Sequence, residues 1–255
     1  MSGDEELAQG IGPAAKIALK RAAAEDDADA ASLWCARLAR FGMVEEAERH
    51  FRPAAEEGDL ASAKCLVWLA WEEGRIQDAW PWLERAAGTG DPWAMYELGA
   101  SLPRPEGLKD AERWYRRAAG TGHVLAMNDL AALLSRAGLR EEAMQWYRRA
   151  ADAGLDIAMN NLAIQHVLHG EIADAERWFD QAAGVGNVQA MANLGRLKLE
   201  AGESAEAESW LTSAAEKGHE GAMDMLADLM AATGRGGEAE IWRGRITGAE
   251  GSDRR

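Results

Sequence analysis

The sequence predicts an all-α protein, a right-handed α-solenoid of about seven helical hairpins with a 32-residue period. Three recurrences carry that expectation. Alanine returns at Ala15, Ala47, Ala79, Ala111, Ala143, Ala175, Ala207 and Ala239. Tryptophan keeps the same step at Trp82, Trp114, Trp146, Trp178, Trp210 and Trp242, and glycine keeps it at Gly58, Gly90, Gly122, Gly154, Gly186 and Gly218. A fixed period of this size means one supersecondary unit stacked on copies of itself, each burying a core only against its neighbours.

Taken from the N-terminus, residues 1–10 read as a degenerate or frayed segment, the repeat itself as residues 11–247, and residues 13–25 as an extra helix ahead of the seven hairpins. The clearest unit runs from His123 to Gly154. Its first half places Ala126, Met127, Leu130, Ala131 and Leu134 at steps of three and four, the stripe of a helix with one apolar face. Gly138 ends that helix, because a glycine accepts the left-handed turn that closes a helix without side-chain strain. Gly10, Gly42, Gly74, Gly170, Gly202 and Gly234 hold the same position, and Glu106 breaks the column. The second half carries Ala143, Trp146, Tyr147, Ala150 and Ala151 on one helical face, closed by Gly154. Its alanines let two helices approach closely, while the aromatic pair fills the groove beside them. Two helices and two turns use up the period, leaving nothing for a strand. Pro53 falls inside a second helix and should kink it; Pro103 and Pro105 replace the usual glycine turn, so that hairpin should bend differently. The Gly, Ser, Asp and Arg of residues 248–255 predict a disordered tail.

The formal charge of −15 and pI near 4.8 oppose nucleic-acid binding, since neutralising phosphates needs a basic stripe. Acidity of this kind serves solubility. No apolar run reaches the roughly 18 residues of a membrane span, and the opening Met-Ser-Gly-Asp-Glu-Glu lacks the features of a secretory signal, so the expected location is cytoplasmic with no membrane contact. Abundant alanine and an excess of arginine over lysine fit a GC-rich bacterial source. Cys35 and Cys65 have neither disulfide-framework nor zinc spacing and read as small buried or half-buried apolar residues.

Several tempting motifs are scaffold. Gly88 and Gly90, Gly120 and Gly122, and Gly184 and Gly186 make Gly-x-Gly steps, but a helix precedes each where a dinucleotide fingerprint needs a strand. Met95, Met127, Met159, Met191 and Met223 form a column, as do the periodic tryptophans; a site would not repeat in every unit, so both columns are expected in the core. His166 and His169 stand three apart on one helix without a third metal ligand in register. No catalytic residue, metal site or cofactor is expected, and the chain reads as a non-enzyme.

The strings WYRRAAGTG, WYRRAADAG, WFDQAAGVG and WLTSAAEKG, each followed by Ala-Met and then Leu-Ala or Leu-Gly, resemble Sel1-like repeats, a branch of the tetratricopeptide superfamily. The 32-residue step is shorter than the usual length of either. The resemblance implies that the first helix of each hairpin lines a concave face. It sets Lys64, Trp68 and Trp71 on one inner helix and Trp93, Tyr96 and Glu97 on the next, all toward the groove. The prolines and the aperiodic tryptophans Trp34, Trp68, Trp71, Trp80 and Trp93 all precede residue 106, so the repeats depart from one another chiefly there. Adjacent exposed aromatics with a few charges make an anchor pocket for a partner's apolar side chain; the alternative is that these rings pack between irregular inner helices. Further along, Asn128, Asp129, Asn160, Asn161 and Asn193 occupy two neighbouring columns with Arg136 and Arg196 close by. Such a ladder can pair with the backbone of an extended peptide, as in tetratricopeptide domains, or simply solvate the groove. The outer helices carry interspersed charges, among them Arg113, Arg116, Arg117, Glu141, Glu142, Arg148 and Arg149, expected to form a solvated convex face. The function implied is that of an adaptor gripping a protein or peptide partner; the alternative is a self-associating structural solenoid, a weak homo-oligomer.

Overall fold

The structure is a computed structural model that describes residues 37–102 and 107–250, with side chains to Ile246, together with Ile17, Arg21, Trp34 and Cys35. The described residues form helices and turns only. Helical residues 37–40 lead into thirteen helices, numbered α1 (Val44–Glu56), α2 (Leu60–Glu72), α3 (Ile76–Gly88), α4 (Pro92–Ser101), α5 (Leu108–Gly120), α6 (Val124–Arg136), α7 (Arg140–Asp152), α8 (Asp156–Leu168), α9 (Ile172–Gly184), α10 (Val188–Glu200), α11 (Ser204–Glu216), α12 (Glu220–Ala232) and α13 (Gly236–Glu250). Every helix begins sixteen residues after the last, so the 32-residue period is two helices and two turns.

The turns follow from the glycine columns. At Gly138 the backbone enters the left-handed region with φ 78°. Gly138 N–H then donates to Ser135 O at 3.1 Å and Leu139 N–H to Leu134 O at 2.9 Å, the paired bonds that satisfy the last carbonyls of a helix. Gly154 repeats the device at φ 93°.

The chain divides into two compact units, Met1–Leu133 and Leu134–Arg255. In the first, each helix from α1 to α5 packs against the next; in the second, α7 to α13 do the same. Each unit is an all-α solenoid stretch whose core is built from the same columns. Leu66, Leu98, Leu130, Leu162, Leu194 and Leu226 are buried on the first helices of the hairpins. Ala47, Ala79, Ala111, Ala143, Ala175, Ala207 and Ala239 are fully buried on the second helices, where their small side chains permit close approach. Met95, Met127, Met159 and Met191 are buried as the column predicts, and Met223 is half-buried.

The tryptophan column requires correction. Trp82, Trp114, Trp146, Trp178 and Trp210 are only half-buried, and Trp242 alone is buried. The core position lies one residue later, at Leu83, Tyr115, Tyr147, Phe179 and Leu211. One residue is about 100° around a helix, so the indole lies at the margin of the buried stripe. There it is covered by arginine. Arg117 lies 4.5 Å from the Trp114 ring centroid, Arg149 4.3 Å from Trp146, and Arg245 4.3 Å from Trp242.

Pro53 does not end its helix: α1 continues to Glu56, and Pro53 O accepts from Glu57 N–H at 3.1 Å. The absent N–H falls in an exposed last turn, where it leaves no buried carbonyl stranded. The final helix reaches Glu250, three residues into the stretch expected to be disordered. The remainder of that tail, the 1–10 segment, most of the 13–25 helix and the Pro103-Pro105 turn lie outside the described residues.

Candidate functional site

The first unit's site is built on α2 and α4. Asp59 caps α2 by accepting from Ser62 N–H at 3.1 Å, and Asp91 caps α4 by accepting from Ala94 N–H at 2.8 Å, with Pro92 preset for the first helical position. From these starts α2 presents Lys64, Trp68 and Trp71 at steps of four and three, and α4 presents Trp93, Tyr96 and Glu97.

Lys64 does not face the groove as expected. It is 2% exposed and its Nζ lies 2.9 Å from Oδ2 of Asp91, itself 7% exposed. A buried ammonium needs a partner to offset lost hydration. Asp91 supplies it while capping α4, so Lys64 ties the start of one inner helix to the middle of another. The same ammonium stands 5.4 Å from the Trp93 ring centroid.

The three aperiodic indoles assemble into one cluster. Trp68 and Trp71 meet edge to face at 5.0 Å, Trp68 and Trp93 stack at 5.5 Å, and Trp71 and Trp93 lie 5.8 Å apart. The rings pack on one another, and all three remain half-buried rather than enclosed. Trp71 borders a cavity of about 380 Å³ completed by Ile76, Glu97, Ala100 and Ser101. Ile76 is 58% exposed at its mouth. Burial pushes the Glu97 carboxyl up to about 7, because low-dielectric surroundings disfavour the charged form. Tyr96 lies beside it on α4, stacked on His123 at 4.8 Å, and donates its hydroxyl to Asp129 Oδ2 at 3.2 Å. Burial, then the Asp129 carboxylate, raise the pKa of that phenol.

The asparagine columns are engaged by their neighbours. In the first unit Asn128 Nδ2 donates to Asp129 Oδ1 at 3.0 Å. In the second, Asn193 Nδ2 donates to Asn160 Oδ1 at 2.9 Å, linking α10 to α8. Asn128 and Asn160 are buried, Asn161 and Asn193 half-buried. Arg196 pairs with Glu200 at 2.6 Å, and Arg136 is exposed.

Two features escaped the sequence reading. Asp59, Asp91, His123, Asn187 and His219 form a periodic column of helix caps, with Leu155 the member whose side chain makes no cap bond. The visible signal is a polar residue directly after every one of these second-helix glycines except Gly154. Lys198 is likewise held by Glu176, Glu203 and Glu206, and these hydrogen bonds raise its pKa.

For a metal ion, the described residues offer His166, Glu171 and Asp174, whose ligand atoms lie within 4.8 Å of one another. His166 Nδ1 already meets Glu171 Oε2 at 2.6 Å, and Asp174 is bridged to Arg177. His169 turns its Nδ1 to the Gln165 carbonyl and takes no part in the group.

Comparison with known proteins agrees with this architecture. Residues 124–153 match the tetratricopeptide repeat family. The fold resembles the crystal structure of a Sel1 repeat protein from Oxalobacter formigenes, at TM-score 0.62 and 24% identity, covering 81% of this chain and 99% of that one. It also resembles c5321, a protective antigen present in uropathogenic Escherichia coli strains and displaying an SLR fold, at TM-score 0.60 and 23% identity. That match covers 81% of this chain and 53% of c5321, so the chain spans about half its length. No curated protein matches the sequence. Among the described residues no helix is long and apolar enough to cross a membrane.

Proposed function

We propose, from the match of residues 124–153 to the tetratricopeptide repeat family and the likeness of the fold to Sel1 repeat structures, that the chain acts as a protein-interaction scaffold. It binds a peptide segment or partner helix along the first helices of its N-terminal hairpins. Within the first unit Trp68, Trp71 and Trp93 supply the apolar anchor, Tyr96 and Glu97 the polar edge, and Asp129 a further polar contact; in the second unit Asn161 and Asn193 offer polar contacts of their own. The mechanism is binding alone, with no bond made or broken. One observation carries the reading: three half-buried indoles, all outside the repeating pattern, gather in one cluster, and one of them, Trp71, borders an open cavity. Core-filling rings would be expected to close that space, whereas aromatic anchors in a desolvated pocket are what binding hot spots use. Cys35 and Cys65, both buried thiols, suit a reducing compartment such as the cytoplasm.

The test is selection of a random peptide library on the full chain, followed by affinity measurements on wild type, Trp71→Ala and Trp68→Phe. Enriched peptides should lose at least about tenfold in affinity with Trp71→Ala. Binders that ignore both substitutions in folded protein would place the recognition surface elsewhere. Light scattering over a concentration series separates this reading from self-association, which would give a mass that rises with concentration.

A further inference from the structure

The indole cluster has two sides, and one already displays its ligand chemistry. On the first side Lys64 places its ammonium 2.9 Å from the Asp91 carboxylate and 5.4 Å from the Trp93 ring. On the other side stand the same two receptors, an indole and a half-buried carboxylate, as Trp71 and Glu97. Ile76, Ala100 and Ser101 complete that cavity, and none of its described lining residues is basic. We propose that the Trp71–Glu97 cavity receives the cationic head of a lysine or arginine side chain from a basic segment of the bound partner. The proposal rests on the peptide-binding reading above and names the chemistry of its principal contact.

Charge and shape both favour this occupant. Lys64 is the only basic residue on α2 and α4, and Asp91 neutralises it. Glu72 and Glu73 add exposed carboxylates at the end of α2, and the chain carries a formal charge of −15. A cation on an alkyl stem satisfies each part of the cavity. Its methylenes lie against Ile76 and Ala100, its charge meets the negative face of the Trp71 ring, and its hydrogens reach the Glu97 carboxylate. A partner carboxylate would be repelled by Glu97, and a purely apolar side chain would leave that carboxylate buried and unpaired. The raised pKa of Glu97 fits a buried carboxyl with no cation among the described residues of its cavity, one that would become a stable anion on receiving a counter-ion.

The experiment is a titration of the full chain at about pH 8, above the Glu97 pKa. Amide and indole N–H resonances are followed, with the Trp68, Trp71 and Trp93 signals assigned by single replacement with Phe. The probes are n-butylammonium for lysine, n-butylguanidinium for arginine and 1-butanol as the uncharged analogue. The expected result is saturable, shared movement of the three indole signals with at least one cation, at least about tenfold weaker with 1-butanol and with Glu97→Gln, and largely restored by Glu97→Asp. Equal response to 1-butanol, or an undiminished response in folded Glu97→Gln, overturns the cation assignment while leaving peptide binding intact. Arg104 follows Ser101 closely in the chain, so Arg104→Ala is titrated in parallel; binding seen only in that variant means the cavity's cation is internal and overturns the partner proposal. Separately, library peptides that depend on Trp71 but need no Lys or Arg refute this inference alone, whereas peptides indifferent to Trp71 refute the reading beneath it.

Discussion

Glu97 should make the stability of this protein depend on pH in a direction opposite to that of an ordinary paired carboxylate. Its folded-state pKa is raised from 4.5 to about 7 by burial. The folded state therefore holds its proton more tightly than the unfolded chain, and stability falls as pH rises through the interval between those values. Below about pH 4.5 the carboxyl is protonated in both states and the contribution is fully present; above about pH 7 it has been lost. A shift of this size corresponds to roughly 3 kcal/mol at most, and water at the cavity mouth reduces it to about 1–3 kcal/mol. Glu97→Gln keeps the shape and removes the ionisation. Urea unfolding followed by helical circular dichroism should give the variant and wild type similar stability at about pH 5, with the variant ahead by about 1–3 kcal/mol at about pH 8. Other carboxylates titrate in both proteins and cancel in the difference. A variant-minus-wild-type difference that is the same at both pH values would mean that Glu97 is well solvated, and would remove the electrostatic premise of the cavity.

Three further outcomes follow from the packing. Lys64→Met should cost about 3–5 kcal/mol in thermal or urea unfolding because it strands the Asp91 carboxylate, and adding Asp91→Asn, which keeps the cap, should recover most of that loss. Tyr147→Ala should cost about 3–5 kcal/mol, whereas Trp146→Ala, despite deleting the larger ring, should cost about half as much because its indole is half-exposed under Arg149; equal losses would reinstate the tryptophans as core. Leu155→Asn supplies the cap bond missing at the start of α8 and should raise the urea midpoint by the equivalent of about 0.5–1 kcal/mol.

The fold was legible because it is redundant. Every turn glycine and every alanine contact is written several times over, so one unit read at His123–Gly154 specifies the rest, and helix starts fall where the period puts them. Errors arose where one residue decides a face. Trp146 and Tyr147 are adjacent and both aromatic, and composition cannot say which of two neighbours points inward; the close helix contact made by Ala143 and Ala150 favours the smaller ring at the centre of the stripe. The indole cluster was legible by the inverse rule, as departure from the repeat: Trp68, Trp71 and Trp93 are the aperiodic rings, and they meet. The same rule misjudged Lys64. Its partner Asp91 sits in the cap column, a place whose periodic role hides its second use, and a pair separated by 27 positions leaves no local trace. Asn160 and Asn193 pair at 33 positions apart, which engages an amide group that looks free when each helix is viewed alone.

A departure from the repeat therefore has two possible fates, and the Lys64 and Glu97 positions exhibit both. Each is an ionisable residue on an inner helix beside an added indole. Lys64 meets a carboxylate of its own chain, and its burial tightens the contact between α2 and α4. Glu97 shares a cavity with Trp71 and Ile76, its burial raises the pKa, and no described residue lining that cavity is a cation. In an architecture that buries a core only between neighbours, leaving such a carboxylate uncompensated lowers stability and confers nothing on the scaffold. Binding is the process that can return that free energy, since a partner cation restores the counter-ion and is favoured by the energy the free protein forgoes. The stability gained and the affinity lost with Glu97→Gln should therefore have a common origin and both fade as pH falls below about 7.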